Sequence, residues 1–152
     1  MSVDLTSTVK TFLLVHGAWY GRWCWYKLIP LLEQKGYQVV AIDLPGYGED
    51  STDPANITMD DYVQKVVEAA ATVAGKVALV GHSMGGAIIS QASEMLGPEK
   101  VDKLVFLDAF LLRNGESIFD QAEKMNAATK LETDFIIDHP ASEYLVFSMD
   151  RK

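Results

Sequence analysis

A chain of 152 residues, 49% hydrophobic and 22% charged, can bury one real core and is not composed like a disordered polypeptide. The net charge of −8 would repel rather than steer a phosphate backbone, which argues against a nucleic-acid partner, and the single cysteine, Cys24, excludes an internal disulfide or a cysteine-held metal cluster. No apolar run approaches the ~20 residues of a membrane span and residues 1–10 hold no signal-like segment, so a soluble cytoplasmic protein with no membrane partner is expected.

Phe12-Leu13-Leu14-Val15 is a short apolar run of strand formers, broken by His16-Gly17-Ala18. It predicts a strand buried on both faces, as in a parallel sheet. Trp25, Leu28, Ile29 and Leu32 then recur at helical spacing up to Gly36, with Pro30 predicting a kink or a restart. Residues 38–42 predict a second strand, followed by the loop Asp43-Leu44-Pro45-Gly46-Tyr47-Gly48. Thr58 and Asp61 have the spacing of a capping box. The helix they open would bury Met59, Tyr62, Val63, Val66, Val67 and Ala70.

Residues 76–80 predict a third strand that runs straight into Gly81-His82-Ser83-Met84-Gly85-Gly86. A helix over 84–96 would turn Ala87, Ile88, Ala92 and Met95 inward, and residues 103–107 predict a fourth strand. This alternation predicts an α/β fold, a three-layer sandwich with a mostly parallel sheet and helices on both faces. After Asp108 the chain turns polar, with weak helical periodicity over 118–125 and no clear fifth strand; residues 145–147 are too short to count. Residues 1–112 therefore read as the core and 113–152 as a partial cap or lid.

Gly81-x-Ser83-x-Gly85 has the form of a nucleophile elbow. A serine hydroxyl attacks well only when it is exposed and aimed at a base. A sharp strand-to-helix turn exposes it, and the crowding of that turn demands glycine two residues before and two after. The bare pattern arises by chance in roughly one chain of this size in twenty, but here it follows an apolar strand and opens a helix, as its mechanics require. The helix start also aims unpaired N–H groups at a developing oxyanion. Gly17 and Ala18, at the end of the first strand, would lie beside the elbow in this architecture. The expected oxyanion donors are the amides of Ala18 and Met84. Trp19 would line an acyl pocket or pack in the core.

These motifs, with His16-Gly17-Ala18-Trp19, Trp23-Cys24-Trp25-Tyr26-Lys27, Pro30-Leu31-Leu32 and Asp43-Leu44, resemble the plant methylesterase and hydroxynitrile lyase family of α/β-hydrolases and its bacterial relatives. The resemblance runs from about Thr11 to Phe106-Leu107-Asp108-Ala109-Phe110 and more loosely beyond. It implies the nucleophile half of an α/β-hydrolase core, apparently without its last strands, plus the start of a helical cap. It also implies an acyl-enzyme on Ser83, formed from a small apolar or aromatic carboxylic ester without metal or cofactor. The lyase branch carries threonine after the first histidine and glutamate before the serine; Gly17 and His82 give the esterase pattern instead.

A serine hydrolase also needs a histidine base and an acid to orient it, which in this fold follow the serine. His139 is the only later histidine and reads as an exposed residue of the cap. His82 should point away from Ser83, and His16 reads as a support for the oxyanion loop. Asp108 and Asp43, each near a strand end, read as structural acceptors. The relatives place their acid one strand beyond Asp108. The fourth strand would be an apolar sheet edge, inviting a second chain. A chain cut short, a gene fragment, and a shortened protein that forms a homodimer along that edge all fit. The rival function is a non-catalytic ligand-binding module of the same fold. Dinucleotide, P-loop and zinc-protease motifs are absent from the sequence.

Overall fold

The computed structural model describes residues 10–129, 135–137 and 145–147. Its contacts divide the chain into two units, Met1–Leu111 and Leu112–Lys152. The first unit holds a four-stranded parallel sheet of β1 (Thr11–Val15), β2 (Gln38–Ile42), β3 (Val77–Ser83) and β4 (Val101–Ala109), in the order β2-β1-β3-β4. Helix α1 (Leu28–Gln34) links β1 to β2, α2 (Met59–Ala71) links β2 to β3, and α3 (Gly85–Leu96) links β3 to β4.

The two-faced burial foreseen for the first strand follows from side chains that alternate across the sheet. Leu13 and Val15 face α2 and α3, joining Leu79, Val63, Val66, Ile88 and Ile89. Leu14 faces the other way with Val80 and Trp25, against which Leu28, Ile29, Phe12 and Val39 pack. The sheet is thus a middle layer, with α1 on one face and α2 and α3 on the other. This arrangement positions the site. The loop leaving β1 turns to one face, while the chain leaving β3 turns to the other. Between two adjacent parallel strands whose connections diverge, a crevice opens at their carboxyl ends.

Pro30 marks a restart. A separate 3-10 turn, Arg22–Trp25, ends before α1 begins at Leu28. Pro30 then sits in the first helical turn, where its missing N–H breaks no helical bond. Two expected inward residues are exposed: Met59, 40% accessible, is the first residue of α2, and Met95 is 57% accessible. The buried stripe of α3 runs through Ile88, Ile89 and Ala92, and Leu96 rather than Met95 packs on the core. The predicted capping box forms: Thr58 N–H donates to Asp61 at 2.7 Å. Strand β4 extends two residues beyond the predicted bounds at each end and is an edge of the sheet, with Leu104, Val105 and Leu107 exposed.

In the second unit, α4 (Ile118–Thr129) opens on a capping box that sequence reading missed. Ser117 N–H donates to Asp120 at 2.7 Å, and Asp120 N–H returns a bond to the Ser117 hydroxyl at 3.1 Å. Residues 145–147 do form a strand, contrary to expectation. β5 (Phe135–Ile137) and β6 (Leu145–Phe147) pair antiparallel, separate from the main sheet. Three residues are too few for a periodic signal, so only the pairing reveals them.

Candidate active site

Ser83 is the last residue of β3 and has φ of +53°. A non-glycine residue there is strained by roughly 1–3 kcal/mol, and such strain survives only where the surroundings enforce it. The surroundings are glycine. A methyl group added at Gly81 would lie 2.5 Å from the Gly85 carbonyl oxygen, and one at Gly85 would lie 2.6 Å from the Val15 carbonyl oxygen. One at Gly86 would strike the Phe110 carbonyl. The sharp turn, the close approach of α3 to β1 and the packing of α3 under the end of β4 each depend on an absent side chain.

The turn after β1 packs directly on this elbow. A Cβ at Gly17 would sit 2.8 Å from Ser83 Cβ and 3.1 Å from the His82 carbonyl oxygen. Ala18 follows, and Trp19 has φ of +63° with 41% of its surface exposed. Met84 caps the start of α3. Among the described residues, neither the Ala18 nor the Met84 N–H donates to a protein acceptor. Gly17, Ala18, Ser83 and Met84 therefore converge at the carboxyl ends of β1 and β3.

Strain concentrates at this end of the sheet. Among the described residues only Trp19, Ser83 and Asp108 combine a side chain with positive φ, and they follow or end β1, β3 and β4. Asp108, at φ +44°, sits where the ladder steps from His82 opposite Leu107 to Ser83 opposite Ala109. It is the extra residue of a bulge, and Phe110 N–H bonds the Ser83 carbonyl at 3.0 Å just beyond it. Neither the bulge nor the conformation of Trp19 leaves a sequence signal.

The histidines are engaged elsewhere. His16 is wholly buried, with Nδ1 2.7 Å from the Gly17 carbonyl oxygen and Nε2 accepting the Leu44 N–H at 3.1 Å. Burial pushes its pKa below the ordinary histidine value, opposed by the bond to Gly17 and the charge of Asp43. His82 lies on the strand face opposite Ser83 by alternation, with Nδ1 beside Gly17, and meets Tyr20 and Trp25 edge-to-face at 5.6 and 6.5 Å between ring centroids. His139 lies outside the described residues. Asp43 accepts Arg22 N–H at 2.6 Å and Glu49 N–H at 3.2 Å, tying two loops together. Among the described residues no cluster of three or more histidine, cysteine or carboxylate side chains could hold a metal, and no helix is long and apolar enough to cross a membrane.

The model of the Alpha/beta hydrolase family matches residues 12–149. Salicylic acid-binding protein 2 of Nicotiana tabacum is 40% identical over 134 residues, covering 84% of this chain and 51% of that protein. Polyneuridine aldehyde esterase of Rauvolfia serpentina is 38% identical over 138 residues, 89% of this chain and 51% of the esterase. A crystal structure of polyneuridine aldehyde esterase superposes with a TM-score of 0.73 at 39% identity, covering 85% of this chain and 51% of that one. The chain thus spans about half, or less, of the length of the curated relatives it matches. Several Arabidopsis thaliana relatives bear the word chloroplastic in their names, a location that belongs to those proteins.

Proposed function

The chain belongs to the alpha/beta hydrolase family and is related to its plant methylesterases and esterases, and from that premise we propose that it carries the nucleophile half of a serine hydrolase acting on small carboxylic esters. Ser83 Oγ attacks the ester carbonyl, and its proton passes to a base that lies outside the described residues. The N–H groups of Ala18 and Met84 hold the tetrahedral oxyanion. The carbon–oxygen bond to the alcohol then breaks, the alcohol leaves with the proton, and water hydrolyses the acyl-serine. Gly17 allows the close approach of the loop to Ser83, and Trp19 forms part of the acyl wall. No metal or cofactor enters any of these steps.

The observation that carries the reading is Ser83 held at φ +53° against the turn after β1. Among the described residues the N–H groups of Ala18 and Met84 have no protein acceptor, and a donor that holds an oxyanion is worth about 10²–10³ in rate. One observation favours the rival, a ligand-binding module. The described histidines, His16 and His82, are both committed to other contacts, so the triad is not completed among the described residues.

A fluorophosphonate probe separates the two. The hydrolase reading expects one adduct on Ser83, read by mass, and slow release of p-nitrophenol from an activated ester. A folded chain with no adduct would leave the binding module.

A further inference from the structure

The carboxyl end of β4 does more than close the sheet. Phe110 N–H donates to the Ser83 carbonyl oxygen at 3.0 Å, so this bond between the ends of the two strands falls on the nucleophile itself. No peptide in the described chain is cis. In a planar trans peptide, the carbonyl of one residue and the N–H of the next point in opposite directions. The bond from Phe110 therefore fixes two groups at once. It holds the Ser83 carbonyl towards β4, and it aims the Met84 N–H away from β4. Because β3 lies between β4 and β1, that direction is the β1 side, where Gly17 packs on the elbow. There the Met84 N–H has no protein acceptor among the described residues.

Two further features hold Phe110 in place. A Cβ at Gly86 would lie 2.4 Å from the Phe110 carbonyl oxygen and 3.1 Å from its nitrogen, so the first turn of α3 lies directly against that residue's backbone. On the other side, a Cβ at Gly85 would lie 2.6 Å from the Val15 carbonyl oxygen. The arc from Ser83 to Gly86 is thus gripped between β1 and the end of β4. The second feature is Asp108, whose φ of +44° strains a residue that carries a side chain. A regular register continued from His82 opposite Leu107 would set Ser83 opposite Asp108. The extra residue sets it opposite Ala109 instead, and Phe110 N–H then meets the Ser83 carbonyl. Bulges beside reactive sites re-aim groups in this way, and such strain persists only where the surroundings enforce it.

We propose that Phe110, through its backbone N–H, is a positioning residue of the oxyanion hole, fixing the direction of the Met84 N–H through the Ser83 carbonyl. The inference rests on the hydrolase reading above. The Phe110 N–H itself touches no substrate and moves no proton. The rate of fluorophosphonate labelling of the full chain, resolved into probe binding and bond formation, tests it. Phe110→Pro removes the N–H and should slow bond formation by about 10²-fold, the loss expected for one oxyanion donor, with probe binding changed less than about threefold. Phe110→Ala keeps the N–H and should form the bond at least ~10-fold faster than Phe110→Pro. A role of the aromatic side chain in packing would level or reverse those two rates.

Equal rates for the two folded variants would overturn the proposal while the hydrolase reading stood. No labelling of the wild type would remove both. Should Phe110→Pro fail to fold, NMR of the wild type decides. A scalar coupling across the hydrogen bond, from the Phe110 amide nitrogen to the Ser83 carbonyl carbon, is expected, with a downfield shift of the Met84 amide proton once Ser83 is phosphonylated. Absence of the coupling, or an unmoved Met84 signal in the labelled protein, would overturn the assignment and leave Ser83 as the nucleophile.

Discussion

The central and outer strands of the sheet are stabilised by different means. β1 and β3 hold fully buried residues such as Leu13, Leu14, Val77 and Leu79, and the strained backbone of Ser83 grows from the second of them. β2 and β4 are outer strands: β2 buries only Ile42, and β4 buries none of its residues. Outside β2 the order of the chain comes from local polar bonds instead, through Asp43 and Asp50. A strained nucleophile needs rigid support, and burial on both faces of two adjacent strands supplies it. The outer strand β4 exposes side chains along its middle, while its carboxyl end still supports the nucleophile through Phe110 N–H on the Ser83 carbonyl at 3.0 Å.

The largest expected effect lies at the centre. Ser83→Ala should abolish phosphonate labelling completely while leaving the fold intact; a remaining adduct of equal yield would mean that another residue is the nucleophile. Next comes the contrast in packing. Leu79 is fully buried, and Leu79→Ala should cost about 2–5 kcal/mol through lost burial and the cavity left behind. Leu104, 36% exposed on β4, should lose about 1 kcal/mol or less in the same change. Urea midpoints of the two variants measure this directly, and equal losses would break the distinction between central and outer strands.

Strain offers a finer contrast. Glycine adopts positive φ freely, so Ser83→Gly and Asp108→Gly should each stabilise the fold or leave it unchanged, within about 1–2 kcal/mol. Only the first should remove labelling. If Asp108→Gly also reduced labelling tenfold, the side chain of Asp108, and not only the backbone of the bulge, would serve the reactive site.

Much of the fold is legible in the residues because the signals are local. The apolar run at Phe12-Leu13-Leu14-Val15, the Thr58 and Asp61 cap and the glycines around Ser83 each act within a few positions. The placing of the Gly17–Ala18 turn beside Ser83 follows from the nucleophile-elbow architecture that the glycines around Ser83 signal. What stayed hidden depends on register. His16 finds Leu44 because β1 and β2 pair with Val15 opposite Ile42, which brings the next residues of each strand together. Asp108 becomes a bulge only through its pairing with β3. Met95 was misplaced because spacing alone does not choose between two adjacent positions on a helix, and the packing chose Leu96.

The smallest expected effect tests the outer loop. Asp50 Oδ1 accepts N–H bonds from Gly46 at 3.0 Å and Thr52 at 2.9 Å, while Lys65 stands 4.0 Å from its carboxylate. The Thr52 hydroxyl foremost, then the two amides, favour the charged form and lower its pKa from 3.8 to about 2. A carboxylate whose pKa falls on folding stabilises the folded state above its unfolded value. That contribution is lost as pH drops through the folded value, because only then is the carboxyl protonated in both states. Solvent screening at this partly exposed site limits the contribution to about 1 kcal/mol. Asp50→Asn should therefore lower the urea midpoint at neutral pH, and the gap from wild type should narrow between pH 4 and pH 2. A gap that stayed constant over that range would mean that shape rather than charge holds the loop. The outer strand's loop would then be stabilised by packing, as the centre is.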